Sequence, residues 1–247
     1  FNGVLAALDI LVKDEDGWKA YEVKSSTKVF DTYVNDAAIQ YYAIVNSGIN
    51  LKDISIVYIN NQYVKQGALS IQELFTIESV YDRVQDVLPK IPNQVTRFKH
   101  VIAQDAVPDI DIGAQCSKPY DCDFKGHCWS HIPEYSIFNI SRLGTTQKFE
   151  LYLNGVTVFE DINLQRIALN AAQVLQVTSE LDNTSSIVRP KLKNFMEDLN
   201  YPLYFLDFET MGTAIPIFDY SRPYQQLVFQ YSLHIQNIND EVTHHEY

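Results

Sequence analysis

No apolar run in the chain reaches the roughly 18 residues that a helical membrane span requires, and no signal peptide is apparent. A cytoplasmic protein without a membrane partner is expected. Cysteine is scarce, with three in 247 residues, all between positions 116 and 128. Positive charge is also scarce: 19 Lys and Arg stand against 31 Asp and Glu, a net charge of -12. That balance argues mildly against a nonspecific nucleic-acid coat, because phosphate binding usually comes with a basic face. An acidic site that holds a cation is still compatible with it, since the ion reverses the local field. Basic residues gather only locally, at Lys24 and Lys28, around Arg97-Phe98-Lys99-His100, and from Arg189 to Lys193; each reads as a solvated face. There is no internal repeat and no low-complexity segment. What remains is an ordinary globular composition, 46% hydrophobic and 20% charged, long enough to bury a substantial core. Phe1 already lies close to strand-like sequence, so the chain is expected to be a piece lacking its natural N-terminus.

The strongest local pattern spans Val4 to Ser25. Two short apolar runs, Val4 to Val12 and Trp18 to Ser25, flank Asp14-Glu15-Asp16-Gly17, which is good hairpin-turn chemistry. With residues 14 to 17 as the loop, Lys13 faces Trp18, and the same register sets Asp9 opposite Glu22. Side chains alternate across a strand, so Lys24 projects from the same face as Glu22. Two carboxylates and an ammonium then share one patch of sheet. Directly opposed like charges are destabilising unless a cation lies between them. Carboxylate oxygens suit magnesium or manganese, which activate water and neutralise phosphate charge. A nearby lysine can orient that water or steady the transition state. An ordinary hairpin with a chance cross-strand pair is the alternative.

Asp9 followed by Glu22-Val23-Lys24 resembles the core of the PD-(D/E)xK nucleases, in particular the RecB-like branch that includes the CRISPR adaptation exonucleases. That branch carries a glutamine on the helix after the Glu-x-Lys strand. Here Asn35 to Val45 reads as that helix, with Asn35 or Asp36 as N-cap, Gly48 as the stop, and Gln40 near the metal patch. The branch often has a tyrosine four residues after the glutamine; Ile44 stands there instead. The resemblance implies Asp9, Glu22 and the Val23 carbonyl as metal ligands, and Lys24 and Gln40 as catalytic and supporting residues. It further implies DNA as substrate, with RNA possible, and 5′-phosphate products.

Ile54 to Ile59 reads as a third strand, so strand, strand, helix, strand begins a mixed α/β sheet. Ile77, Val80, Val84, Val87 and Leu88 recur at helical spacing and predict a helix over 71–88, broken by Pro89 and Pro92. Val95, Phe98 and Ile102 suggest another helix after the break.

Cys116, Cys122 and Cys128 lie in one stretch, and without a secretion signal that clustering favours metal over disulfides. Three thiolates leave a set one ligand short; His127 or His131 could complete it for zinc. RecB-like nucleases of the iron–sulfur type close a four-iron four-sulfur cluster with three cysteines after the core and one far upstream. By that resemblance the three cysteines match the downstream set, the fourth ligand lies outside this chain, and zinc is the lesser expectation.

Beyond Trp129 the sequence reads as a connector, with an ambiguous segment from Phe149 to Leu153 and helices from Leu164 to Val177 and from Arg189 to Leu199, Pro190 being acceptable in a first turn. Leu203 to Thr210 is an apolar strand carrying Asp207 and Glu209 two residues apart, hence on one side and able to share divalent cations. Asp207-Phe208-Glu209-Thr210 resembles the first motif of DnaQ-like 3′-5′ exonucleases, whose fold is RNase H-like. Phe229 to Ile235 and Glu241 onward read as its next strands, and the later acidic motifs of that family are absent. The order of motifs resembles an uncharacterised bacterial family that combines the two nuclease-like modules. The expected architecture is α/β: a restriction-endonuclease-like mixed sheet with flanking helices over 1–135, a helical connector over 136–198, and the first strands of an RNase H-like domain over 199–247. The expected function is metal-dependent DNA cleavage. A non-catalytic nucleic-acid or partner-binding protein, or an exonuclease activity residing in the C-terminal module, are the rivals.

Overall fold

The computed structural model describes residues 1–164 and 166–247. They form two compact units, one made of Phe1–Val107 with Tyr201–Tyr247 and the other of Pro108–Asn200. The first is mixed α/β and contains a four-stranded and a three-stranded sheet.

The four-stranded sheet opens on the hairpin. β1 (Ile10–Lys13) pairs antiparallel with β2 (Trp18–Lys24), from Ile10↔Tyr21 to Lys13↔Trp18, the register that a loop at 14 to 17 dictates. Asp14 ties the turn by accepting the amides of Asp16 and Gly17, each at 3.1 Å. Gly17 adopts φ 150°, and a Cβ there would come within 2.7 Å of the Asn50 carbonyl oxygen, so glycine is needed both for its backbone angle and for the close approach. The first strand is shorter than expected. Val4 to Asp9 lie off the ladder, although Val4 and Leu8 still pack on the core.

Helix α1 (Asp31–Asn46) begins four to five residues earlier than the expected Asn35 or Asp36. Phe30 occupies the N-cap position without a side-chain cap. Packing sets the start instead: Val34, Ala37, Ala38, Tyr41 and Tyr42 are all buried in the core, a stripe at helical spacing that already includes Val34. Gly48, at φ 89°, closes the other end, its amide bonded to the Val45 carbonyl. β3 (Leu51–Ile59) then runs parallel to β2, with Ala20 beside Ile54 and Glu22 beside Ile56. A parallel pair requires a crossover, and α1 is that crossover. Ala20, Ala37 and Ala38 are fully buried; side chains this small let helix and sheet approach closely.

The single helix expected over 71–88 is not formed. A one-turn helix α2 (Ile71–Leu74), a strand β4 (Phe75–Ser79) and a helix α3 (Tyr81–Val87) replace it. Phe75, Thr76 and Ile77 are strand formers, and β4 completes the sheet antiparallel to β3, with Val57↔Ile77 in register and the Tyr58 hydroxyl donating to Glu78 at 2.9 Å. Ile77 matched the helical spacing by coincidence, whereas Val80 and Val84 are buried as that spacing requires. Helix α4 (Ile91–Ile102) carries Pro92 within its first turn, where a missing amide costs nothing, so Pro92 begins a helix rather than breaking one.

The three-stranded sheet is an antiparallel run of β5 (Leu203–Met211), β6 (Leu227–Gln236) and β7 (Val242–Glu246), close to the expected bounds. Its register slips once, between Glu209 and Thr210.

The second unit is helical. It comprises α5 (Lys125–Cys128), α6 (Thr145–Leu153), α7 (Ala171–Leu181) and α8 (Arg189–Glu197), with a small core of Ile137, Ile140, Leu143, Phe159, Ile162 and Val177 to which α6 and α7 contribute and α5 and α8 do not. The ambiguous Phe149 to Leu153 resolves as the end of α6, closed by Gly155 at φ 79° and by the Val156 amide bonded to the Leu151 carbonyl. The helix expected over 164–177 starts later, because Asn170 caps it by accepting the amides of Ala172 and Gln173. Within that expected span, Gln165 lies outside the described residues.

Candidate active site

The site forms where α1 crosses the end of β2. Trp18, Ala20, Glu22 and Lys24 alternate onto one face of β2. Asp36 and Gln40 are four residues apart and so share a face of α1. The Lys24 Nζ lies 2.8 Å from Glu22 Oε1 and 2.7 Å from Asp36 Oδ2. Asp36 Oδ1 in turn faces Gln40 Nε2 at 3.5 Å. One chain of contacts therefore runs Glu22, Lys24, Asp36, Gln40, linking strand to helix. The Tyr33 ring, one turn before Asp36, has Lys24 Nζ 5.6 Å from its centroid.

Burial disfavours the Lys24 ammonium, but hydrogen bonds to Asp36 and Glu22, together with the charges of the same two carboxylates, more than offset it. Its pKa is held above the ordinary lysine value. Lys24 is thus a fixed cation across the physiological range, suited to orienting a group and neutralising charge rather than to accepting a proton.

Asp9 sits one step beyond the Ile10↔Tyr21 pair, at the place opposite Glu22, but outside the ladder. Its Oδ2 accepts the Val23 amide at 2.8 Å. A side-chain oxygen has taken the role of a ladder carbonyl, which explains both why β1 stops at Ile10 and why this exposed carboxylate stays at the Glu22 end of β2. Val23 is committed through its amide to Asp9.

Two buried acceptors in this patch have no hydrogen-bond partner: Glu22 Oε2 and Gln40 Oε1. Glu22 is 7% exposed and Gln40 is 6% exposed. Buried polar atoms are nearly always paired, and an unpaired carboxylate oxygen is costly. Oxygen acceptors without donors are what a hard cation or its bound water would satisfy, and these two oxygens are of the kind that magnesium or manganese takes. Asp9, Glu22, Lys24 and Gln40 are all found at this strand end and the helix that crosses it. Asp36 went unrecognised in the sequence except as a possible cap; its spacing of four from Gln40 was the signal. The tyrosines that follow Gln40 are core residues: Tyr41 packs edge-on against Tyr81 and Tyr42 against Phe1.

The other candidates are arranged differently. Asp207 and Glu209 lie in an unbroken part of β5, opposite Ser232 and Gln230, so both point to one side, and both are exposed. Cys116 is buried, Cys122 exposed and Cys128 half-buried, all as free thiols. The Cys122 amide bonds the Cys116 carbonyl at 2.9 Å, which folds the backbone between them. Among the described residues no group of three or more His, Cys, Asp or Glu side chains is gathered as a metal-holding set, and this applies to the carboxylates around β2 as much as to the three cysteines. His131 faces the Tyr152 hydroxyl at 3.0 Å. Among the described residues no helix is long and apolar enough to cross a membrane.

Compared with known proteins, residues 204–247 match the family model described as a domain of unknown function, DUF2779. This segment comprises most of β5 and all of β6 and β7, with Asp207 and Glu209 within it. No curated protein and no solved structure matches the chain.

Proposed function

We propose that the patch joining β1, β2 and α1 is the centre of a divalent-metal-dependent deoxyribonuclease of the RecB-like type. The observation that carries this reading is the pair of buried acceptors without partners, Glu22 Oε2 and Gln40 Oε1, beside a lysine held by two carboxylates. Asp9 and Glu22 would hold magnesium or manganese with help from the Val23 carbonyl. When bound, such an ion activates water and neutralises charge on the phosphate. Lys24 would orient the attacking water and steady the phosphoryl oxygens, and Gln40 would support the site. The four-stranded mixed sheet with its crossover helix supports a restriction-endonuclease-like core. The substrate is DNA, with 5′-phosphate ends as products by family resemblance.

Cleavage of single- and double-stranded DNA with manganese tests the reading. Lys24→Ala should lose activity with the fold retained. Equal cleavage by the wild type and a Glu22→Ala, Lys24→Ala double variant would sink it.

A second reading assigns the activity to a DnaQ-like module. It is supported by the same-side placement of Asp207 and Glu209 on the first strand of an antiparallel sheet, as in the opening strands of an RNase H-like domain. Loss of cleavage in Asp207→Ala alone would favour it. Cys116, Cys122 and Cys128 have no part in this chemistry; iron and zinc analysis tests them as an iron–sulfur or zinc set.

A further inference from the structure

Asp36 contacts two of the proposed nuclease residues at once, yet it belongs to no motif read from the sequence. Its Oδ2 lies 2.7 Å from Lys24 Nζ and its Oδ1 3.5 Å from Gln40 Nε2. The second contact is long, but it decides an orientation. A carboxylate can only accept, whereas a glutamine amide has a donating and an accepting end. Facing Asp36, Gln40 must present its NH2 group, and its Oε1 is turned elsewhere, buried and without a partner. The first contact matters for a different reason. Lys24 shares its ammonium between Glu22 and Asp36, and whenever Glu22 is engaged as a ligand, Asp36 is the other carboxylate holding the lysine.

We propose that Asp36 is a positioning residue, with one oxygen anchoring Lys24 and the other orienting the Gln40 amide so that its oxygen stays free for the metal site. The inference rests on the nuclease reading and adds a residue to it. Asp36 is not a catalytic residue: it works through its two neighbours. Nor is it a structural keystone, since its side chain is 43% exposed, and ion pairs at such positions contribute little to stability. Asparagine at this position keeps the size but not the charge. Its own NH2 group would compete for Gln40 Oε1, and it would hold the Lys24 ammonium weakly.

The test uses Asp36→Asn, with Asp31→Asn as a control on the same helix, where the carboxylate pairs with Arg83 at 2.9 Å. In the metal-free protein, the nuclear magnetic resonance signal of the Gln40 side-chain NH2, assigned by its loss in Gln40→Ala, should move in Asp36→Asn and stay in Asp31→Asn. With manganese and DNA, Asp36→Asn should lower kcat about tenfold or more, in the range of a misplaced catalytic group, with KM and the melting temperature unchanged. Asp36→Glu should recover part of that loss. In a Lys24→Ala background, the same substitution should cost little further, because coupled residues are not additive. An unmoved Gln40 signal, full activity in Asp36→Asn, or an equal loss in both backgrounds would overturn the inference while leaving the nuclease reading intact. If the wild type itself does not cleave, the nuclease reading falls, and the Gln40 signal alone then decides whether Asp36 orients the amide.

Discussion

Both sheets of the first unit carry candidate carboxylates, but the surroundings of Glu22 and of the Asp207 and Glu209 pair differ in kind. In the four-stranded sheet, Glu22 follows fully buried Ala20 on the face covered by α1 and is 7% exposed. In the three-stranded sheet, Asp207 and Glu209 are exposed, and Phe205, Leu206 and Phe208 around them are each more than half exposed. A hydrated carboxylate satisfies its oxygens with water and makes no demand on its neighbours. A buried one must be paired or neutralised, so Glu22 draws in Lys24, which in turn draws in Asp36, and one Glu22 oxygen still lacks a partner. Burial is what turns an acidic residue on a strand into an organised site.

The comparison can be broken most sharply by activity. Lys24→Ala should reduce manganese-dependent DNA cleavage on the order of 10²- to 10⁴-fold, measured as the initial rate on a labelled duplex, while Asp207→Asn should leave that rate unchanged. A reversed result would mean that the exposed pair does the chemistry. Packing comes next. Ile54→Ala removes a fully buried side chain between the crossover helix and the sheet and should cost about 2–5 kcal/mol in urea denaturation. Leu206→Ala, at a position 54% exposed, should change stability by no more than about 0.5 kcal/mol. The smallest effect concerns acid. The hydrogen bond from Lys65 holds the Asp219 carboxyl below its ordinary value of 3.8, with Lys65 Nζ at 2.6 Å. A depressed folded pKa contributes stability that is complete above the unfolded value and fades as pH falls through the folded one. Protection of the Gly67 amide, which donates to Asp219 at 3.1 Å, against hydrogen exchange relative to its intrinsic rate should therefore fall below about pH 3.8, and Asp219→Asn should remove that pH dependence.

Much of the first unit was legible because its signals are local. The hairpin register follows from the Asp14 to Gly17 turn alone, and with it the placement of Asp9 at the Glu22 end of β2. Among the C-terminal strands, β5 follows from the apolar Leu203 to Leu206 that opens it and β6 from the alternation of Phe229, Tyr231, Leu233 and Ile235 with polar residues. Structure and local pattern part where packing overrides the pattern. Candidate caps put the start of α1 at Asn35 or Asp36, but the core contact of Val34 extends the helix back to Asp31. The segment over 71–88 has helical spacing, yet β3 offered Phe75 to Ser79 an open edge, and strand formers took it.

By itself, then, the sequence determined the turn that sets β1 against β2, the alternation that aligns Glu22 with Lys24, and the helix that carries Gln40, because each depends on residues close along the chain. Only the tertiary structure decided that Asp36 would meet Lys24 and that Glu22 and Gln40 would each keep a buried oxygen without a partner. Those outcomes depend on the crossover that lays α1 against β2 and β3. A contact of that kind joins residues remote in sequence, and a linear pattern does not encode which of them come within hydrogen-bonding distance.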